Sequence, residues 1–159
     1  MNLQEQRLMA NLIRNRRWAA LATQGPEGPE ASWVTYVPQV DFSGFLLHLS
    51  TLASHTGNLL ANSRAGLAIS EMERDGADPQ TLARVMIKGR VTVIPKGSTD
   101  YREMSRYYQA TLPTSTPSFE FGDFLLLRLT PAHIRFVSGF ARAYTLDHIA
   151  LRVAAQRTS

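Results

Sequence analysis

The residues best suited to chemistry lie together between Gly44 and Arg64, GFLLHLSTLASHTGNLLANSR, where an apolar strand runs into a polar turn and then a short amphipathic helix. Ser50, Thr51, Ser54, His55 and Thr56 gather hydroxyls and an imidazole where the first helical amides have no internal partner. Free N–H groups and the positive end of the helix dipole favour a phosphate at such a place. His55 is the best phosphate candidate among the side chains, since an imidazole donates a hydrogen bond even when neutral. The same letters also fit a plain helix start, with Ser54 as its cap and His55 on the surface.

Other reactive types are sparse. His48, between Leu47 and Leu49, reads as a satisfied core histidine, His133 reads as exposed after Pro131, and His148 falls in the last helix outside any defined motif. No HxxxH, HxH or acidic cluster suggests a metal site. The chain has no cysteine, which excludes disulfides, thiolate zinc, iron–sulfur clusters and a thiol nucleophile, and suits a reducing cytoplasm. No nucleophile elbow supports Ser-His-Asp hydrolysis, and no acid–base pair stands out, so no catalytic residue is assigned.

Helical spacing predicts a first helix from Leu3 to Asn15, with Leu8, Met9, Leu12 and Ile13 on one stripe. Strands follow at Trp18–Thr23 and Glu30–Val37, joined as a hairpin by Gly25-Pro26-Glu27-Gly28-Pro29. Phe45–Leu49 is the next strand and leads to the helix near Ser54. Gly66–Ser70 is short, and Leu82–Ile94 is long, with Gly89 as a bulge or tight bend. A second helix spans Ser98–Ala110, capped by Ser98 or Thr99, and a Pro/Ser/Thr-rich loop covers Thr111–Ser118. Asp123–Leu129, His133–Val137 and Phe140–Leu146 read as three further strands, separated at Thr130-Pro131 and Ser138-Gly139, before a short helix from Asp147 to Ala155. Many short strands without regular strand–helix alternation indicate an α+β protein built on an antiparallel barrel with flanking helices.

With 159 residues, 44% hydrophobic and 19% charged, the whole chain from 1 to 159 fits one domain that can enclose a core without disulfides. No apolar run reaches the roughly 20 residues that span a bilayer, and the N-terminus has no signal-peptide core, so a soluble cytoplasmic protein without a membrane partner is expected. The net charge is +4 and the isoelectric point about 9.8. The cations are dispersed, however, and the one tight cluster, Arg14, Arg16 and Arg17, ends a helix whose dipole welcomes it. Nucleic acid is therefore not expected as a partner.

Several motifs in this order carry a family resemblance. They are Ala20-Leu21-Ala22-Thr23, Gly28-Pro29 with Ser32, Leu49-Ser50-Thr51-Leu52-Ala53-Ser54-His55-Thr56-Gly57-Asn58-Leu59, Asp78-Pro79, Arg84-Val85-Met86-Ile87-Lys88-Gly89, Asp123-Phe124 and Gly139-Phe140-Ala141-Arg142-Ala143. The chain resembles the flavin-binding split-barrel superfamily of pyridoxamine 5′-phosphate oxidase, and within it the haem-utilisation (HugZ-type) branch. The resemblance implies an antiparallel split β-barrel that binds FMN, usually as a homodimer with flavin at the subunit interface. It places cofactor contacts at Ser32, Trp33, Val34, Leu49, Ser50, Thr51, Ser54, His55, Thr56, Asn58 and Arg84. The strand edges Trp33-Val34 and Leu49-Ser50 would supply backbone hydrogen bonds to the flavin ring, and Trp33, Tyr36 and Phe140 an apolar subunit contact.

The departures are as informative. Ser54 and His55 stand where the oxidase pattern has an Arg-Lys pair on the flavin phosphate, and Trp33 and Pro38 stand at another Arg and Lys. Arg84 stands at a glutamine of that pattern and would restore one positive charge. The oxidase's C-terminal Trp-Arg-Leu has no counterpart, which argues against vitamin B6 as substrate. Two occupants follow from the resemblance: FMN in an oxidoreductase, or haem in a protein that binds or degrades it. A non-enzymatic flavin- or haem-binding module is the third reading.

Overall fold

A computed structural model describes residues 1–139 and 142–157. Its elements are α1 (Leu3–Asn15), β1 (Trp18–Gly25), β2 (Gly28–Thr35), β3 (Val37–Pro38), β4 (Phe45–Ser50), α2 (Ser54–Ala61), β5 (Arg64–Ser70), β6 (Arg84–Val93), α3 (Thr99–Thr111), β7 (Phe124–Gly139), β8 (Arg142–Asp147) and α4 (His148–Ala155). Two 3-10 segments, Pro79–Thr81 and Pro113–Glu120, join them. The strands form one antiparallel sheet in the order β2-β1-β5-β6-β7-β4-β3, with β8 also on β7. This curled sheet with flanking helices is the α+β split barrel.

Alternation decides which face is buried. On β1 and β5 the residues Ala19, Leu21, Leu67 and Ile69 point inward with Val85, Ile87 and Phe136, and α1 lays Met9 and Ile13 over the same core. The opposite face of β1 and β5 carries Ala20, Ala22, Gly66 and Ala68, small residues that leave the sheet open to a neighbour or ligand. A second core of Val37, Leu46, Ile94, Tyr108 and Leu126 forms where α3 closes the other side of β4. Tyr36 is fully buried and its hydroxyl donates to the Ile13 carbonyl at 2.8 Å. It therefore belongs to the core and not to a subunit contact; Phe140 lies outside the described residues.

The α1 start shows how one acid ties distant segments together. Asn2 caps the helix, and Glu5 returns a hydrogen bond to the Asn2 amide at 2.9 Å, completing a capping box. Glu5 also accepts from Tyr144 at 2.8 Å and Arg142 at 3.1 Å, which fastens α1 to β8. The Arg14 and Arg17 guanidiniums donate to backbone carbonyls, including those of Arg157 and Arg16. These arginines close helix ends, as their position at the C-terminus of α1 predicts.

Three expectations are corrected. Pro131 does not divide two strands: β7 runs continuously through it, because the β6–β7 register shifts between Lys88 and Gly89 and the proline at that irregularity donates to no ladder. Gly89 is required there, since an added Cβ would fall 2.8 Å from the Thr130 carbonyl carbon. The Thr111–Ser118 loop is instead the last residue of α3 followed by 3-10 turns from Pro113, which place Phe119 beside Tyr108. Finally, Ala53 and not Ser54 is the N-cap of α2, with no side-chain cap.

Candidate functional site

The turn before α2 is built by mutual hydrogen bonds. Ser50 Oγ donates to the Asp123 carboxylate at 2.5 Å and accepts from the Leu52 amide at 3.1 Å. The Thr51 amide donates to the Asp123 carbonyl at 2.7 Å, and Thr56 Oγ1 donates to the Ser50 carbonyl at 2.6 Å. Ser50 and Thr56 are thus occupied in holding the turn, while Ser54 and Thr51 are exposed. Asp123, which the sequence offers only as part of a motif, positions this turn.

Asn58 is committed as well. Its amide donates to Thr23 Oγ1 at 3.1 Å and to Glu30 at 2.9 Å, pinning α2 across β1 and β2. His55 is half-buried, and desolvation lowers its pKa, so the imidazole is neutral near pH 7. No lysine or arginine occurs between Ser50 and Ser63, so the α2 start offers amides and hydroxyls without a fixed cation of its own.

Val34 and Leu49 point their side chains into the core, leaving only their backbone for a ligand. Ser32 also faces inward, and among the described residues its buried Oγ has no hydrogen-bond partner. Trp33 turns the other way: it is 62% exposed and stacks on Trp18, which is 56% exposed, with ring centroids 6.0 Å apart and planes 11° from parallel. The hairpin register explains the pair, because Trp18 faces Thr35 and Trp33 faces Ala20, placing both indoles on the outer side of the sheet.

These tryptophans wall a groove of about 650 Å³ floored by Ala20, Ala68 and Met86 and rimmed by Arg16, Arg17 and Arg84. Its size and apolar lining with a few charged groups suit a small organic ligand. Arg84 reaches it from the first residue of β6 and is steadied by the carbonyls of Leu82 at 3.0 Å and Gln80 at 3.2 Å. Arg84 and Trp33 therefore come together. Arg84 and the α2 start do not, because Arg84 pairs with Val137 and Ser50 with Phe124, near opposite ends of β7. On the order of 40 Å of strand contour separates them at about 3.3 Å per residue.

Trp18 is the residue that sequence reading missed. Its signal was the hairpin count itself, which sets Trp18 diagonally beside Trp33 once the turn is centred on Pro26-Glu27. Among the described residues no group of three or more His, Asp or Glu side chains could hold a metal ion. None of the described helices is long and apolar enough to cross a membrane.

Comparison with known proteins places this geometry. The model of the family described as pyridoxamine 5′-phosphate oxidase matches residues 6–138. The chloroplastic heme oxygenase HOZ of Arabidopsis thaliana is 32% identical over 118 residues, 73% of this chain and 34% of that protein. The chain thus spans about a third of that relative's length. A heme binding protein from Mycobacterium smegmatis superposes with a TM-score of 0.82 at 23% identity, covering 96% of this chain and 61% of the other. A FAD-binding protein from Mesorhizobium loti gives 0.65 at 15% identity, covering 80% and 87%. At these identities the solved structures establish the shared fold.

Proposed function

Because the chain belongs to the pyridoxamine 5′-phosphate oxidase family, we propose that it binds a planar, conjugated, anionic cofactor on the outer face of the barrel, and that this cofactor is haem. The groove beside Trp18 and Trp33 carries the reading. Two exposed stacked indoles, a floor of Ala20, Ala68 and Met86, and arginines at the rim offer a flat apolar surface with cations at its margin. Arg84 and Arg16 would hold the ligand's carboxylates, and Trp33 would cover one face of the macrocycle. The heme-binding and heme oxygenase descriptions of the relatives support the same choice. When bound, haem supplies the iron-centred redox chemistry; the protein supplies position, desolvation and charge.

FMN is the second reading, and Ser32 favours it. Its buried hydroxyl lacks a partner one residue from Trp33, and the α2 start presents amides and hydroxyls suited to a phosphate. Against it stand the absence of a fixed cation between Ser50 and Ser63 and a His55 that burial keeps neutral. A ligand touching both Arg84 and the α2 start would need two copies of the chain, so the FMN reading carries a homodimer with it. A monomeric mass by light scattering at micromolar concentration contradicts that assembly.

Haem titration with Trp33→Ala and Arg84→Ala tests the site. Trp33 is exposed and Arg84 half-buried, and neither belongs to a core cluster, so the variants should fold while binding haem about tenfold more weakly. Saturable haem binding that neither substitution changes removes this groove as the site.

A further inference from the structure

A second groove of about 720 Å³ lies on the same outer face, toward the far end of β5 and β6 from the tryptophans. Arg64 opens β5 directly across from Arg90, and Gly66 lies across from Lys88, which in turn faces His133 on β7. The register shift at Lys88/Gly89 shapes the spot: Lys88 pairs with His133 but Gly89 with Pro131, so Ala132 is an extra residue and both it and His133 line the groove. The alternation of the sheet would otherwise send neighbouring residues to opposite faces.

Charge here is concentrated and unbalanced. Like charges directly opposite in an antiparallel pair repel, yet Arg64 and Arg90 occupy such a position. Among the described residues no carboxylate forms an ion pair with Arg64, Lys88 or Arg90. Among the described residues Arg90 makes one side-chain hydrogen bond, to Ser63 Oγ at 3.2 Å. Asp147 stands across from His133, but its carboxylate accepts from the Ala150 amide at 2.8 Å as the cap of α4. The floor between these cations is the small apolar surface of Ala22 and Gly66, which leaves room for an uncharged part of a ligand.

We propose that this groove binds a small molecule carrying two adjacent phosphate groups, with Arg64 and Arg90 on the phosphates and Lys88 between them and His133. Cross-strand neighbours have Cβ atoms about 5 Å apart, which sets two guanidiniums side by side over neighbouring phosphates. Guanidinium forks bind phosphate oxygens two at a time. The groove, about 720 Å³ and open to solvent along one side, has room for a nucleoside diphosphate. This site is separate from the tryptophan groove and does not depend on which cofactor that groove holds.

The test is calorimetric titration of the intact protein with ADP, pyrophosphate, AMP and adenosine, repeated on Arg64→Gln, Arg90→Gln and Arg135→Gln. Arg135 lies on the same face and is engaged with Thr145 at 2.8 Å outside the groove, so it controls for general surface charge. ADP and pyrophosphate should bind, and AMP about tenfold more weakly. Loss of Arg64 or Arg90 should weaken ADP about tenfold and Arg135→Gln should not. All three side chains are exposed or external to the core, and thermal melts near that of the parent protein confirm folded variants. Absence of ADP binding, equal affinity for ADP and AMP, or an equal loss with Arg135→Gln overturns the proposal. So does tighter binding of a short single-stranded oligonucleotide than of ADP through the same arginines.

Discussion

Acidification should loosen the second core through one histidine. His48 is only 7% exposed, its ring stacks on Phe119 with centroids 3.7 Å apart, and its Nδ1 lies 3.0 Å from Ser118 Oγ. Burial, with Lys96 contributing, pushes its pKa from 6.5 down to about 4. Between those values the unfolded chain takes up a proton that the native imidazole refuses, so stability declines as pH falls through that window. Above it, the contribution is constant. The full gap corresponds to roughly 3 kcal/mol, and partial solvent access at the edge of the ring reduces the expected loss to ~1.5 kcal/mol. Urea unfolding of the parent protein and of His48→Phe, at about pH 7 and about pH 4.5, isolates this share because the phenyl ring keeps the stack without titrating. The parent should lose ~1.5 kcal/mol more than the variant over that interval. An identical pH dependence in both proteins, or an imidazole that titrates near its ordinary value by NMR, refutes the reasoning.

Two further outcomes follow from the packing. Gly89→Ala should cost about 3 kcal/mol in urea unfolding, because the new methyl meets the Thr130 backbone, which cannot swing aside as a flexible side chain would; a loss under about 1 kcal/mol means that the β6–β7 irregularity relaxes freely. The Asn2 amide, the Tyr144 hydroxyl and Arg142 hold the Glu5 carboxyl down at about 2. Its stabilisation is complete above the ordinary glutamate value of about 4.3 and disappears as pH falls toward 2. Glu5→Gln should therefore flatten the acid limb of a thermal-melt profile, and an unchanged limb would assign acid lability to other carboxyls.

Local sequence pattern makes much of the barrel legible. The apolar stripe of α1 and the Ser98 cap before α3 set helix limits that the structure reproduces at Leu3–Asn15 and, within a residue, at Thr99–Thr111. The Gly25–Gly28 turn and the alternation around it gave the first hairpin. Pro131 misled because a proline usually ends a strand, whereas a register shift on the adjacent strand β6, at Lys88/Gly89 directly across from it, accommodates it. That information is non-local.

The site was legible in the same uneven way. The polar turn before α2 was visible as a cluster of hydroxyls, but Ser50, Thr56 and Asn58 turned out to serve Asp123, the backbone and Glu30. Only the fold reveals those partners. Arg84 was visible as a cation at an unusual place, yet its separation from the α2 start depends on which end of β7 each strand meets. The Trp18–Trp33 stack could be counted from the local hairpin, but the Arg64–Arg90 juxtaposition depends on the β5–β6 register, which composition and motifs do not encode.

If the tryptophan groove holds haem in preference to flavin, one titration shows it. The most direct measurement titrates the same purified protein with haem and with FMN, reading the Soret absorbance, the flavin fluorescence and the quenching of Trp18 and Trp33 together. A saturable Soret shift with indole quenching at one haem per chain is expected, with FMN binding at least about tenfold weaker. FMN binding that is tighter than haem, with haem producing no saturable Soret shift, contradicts it.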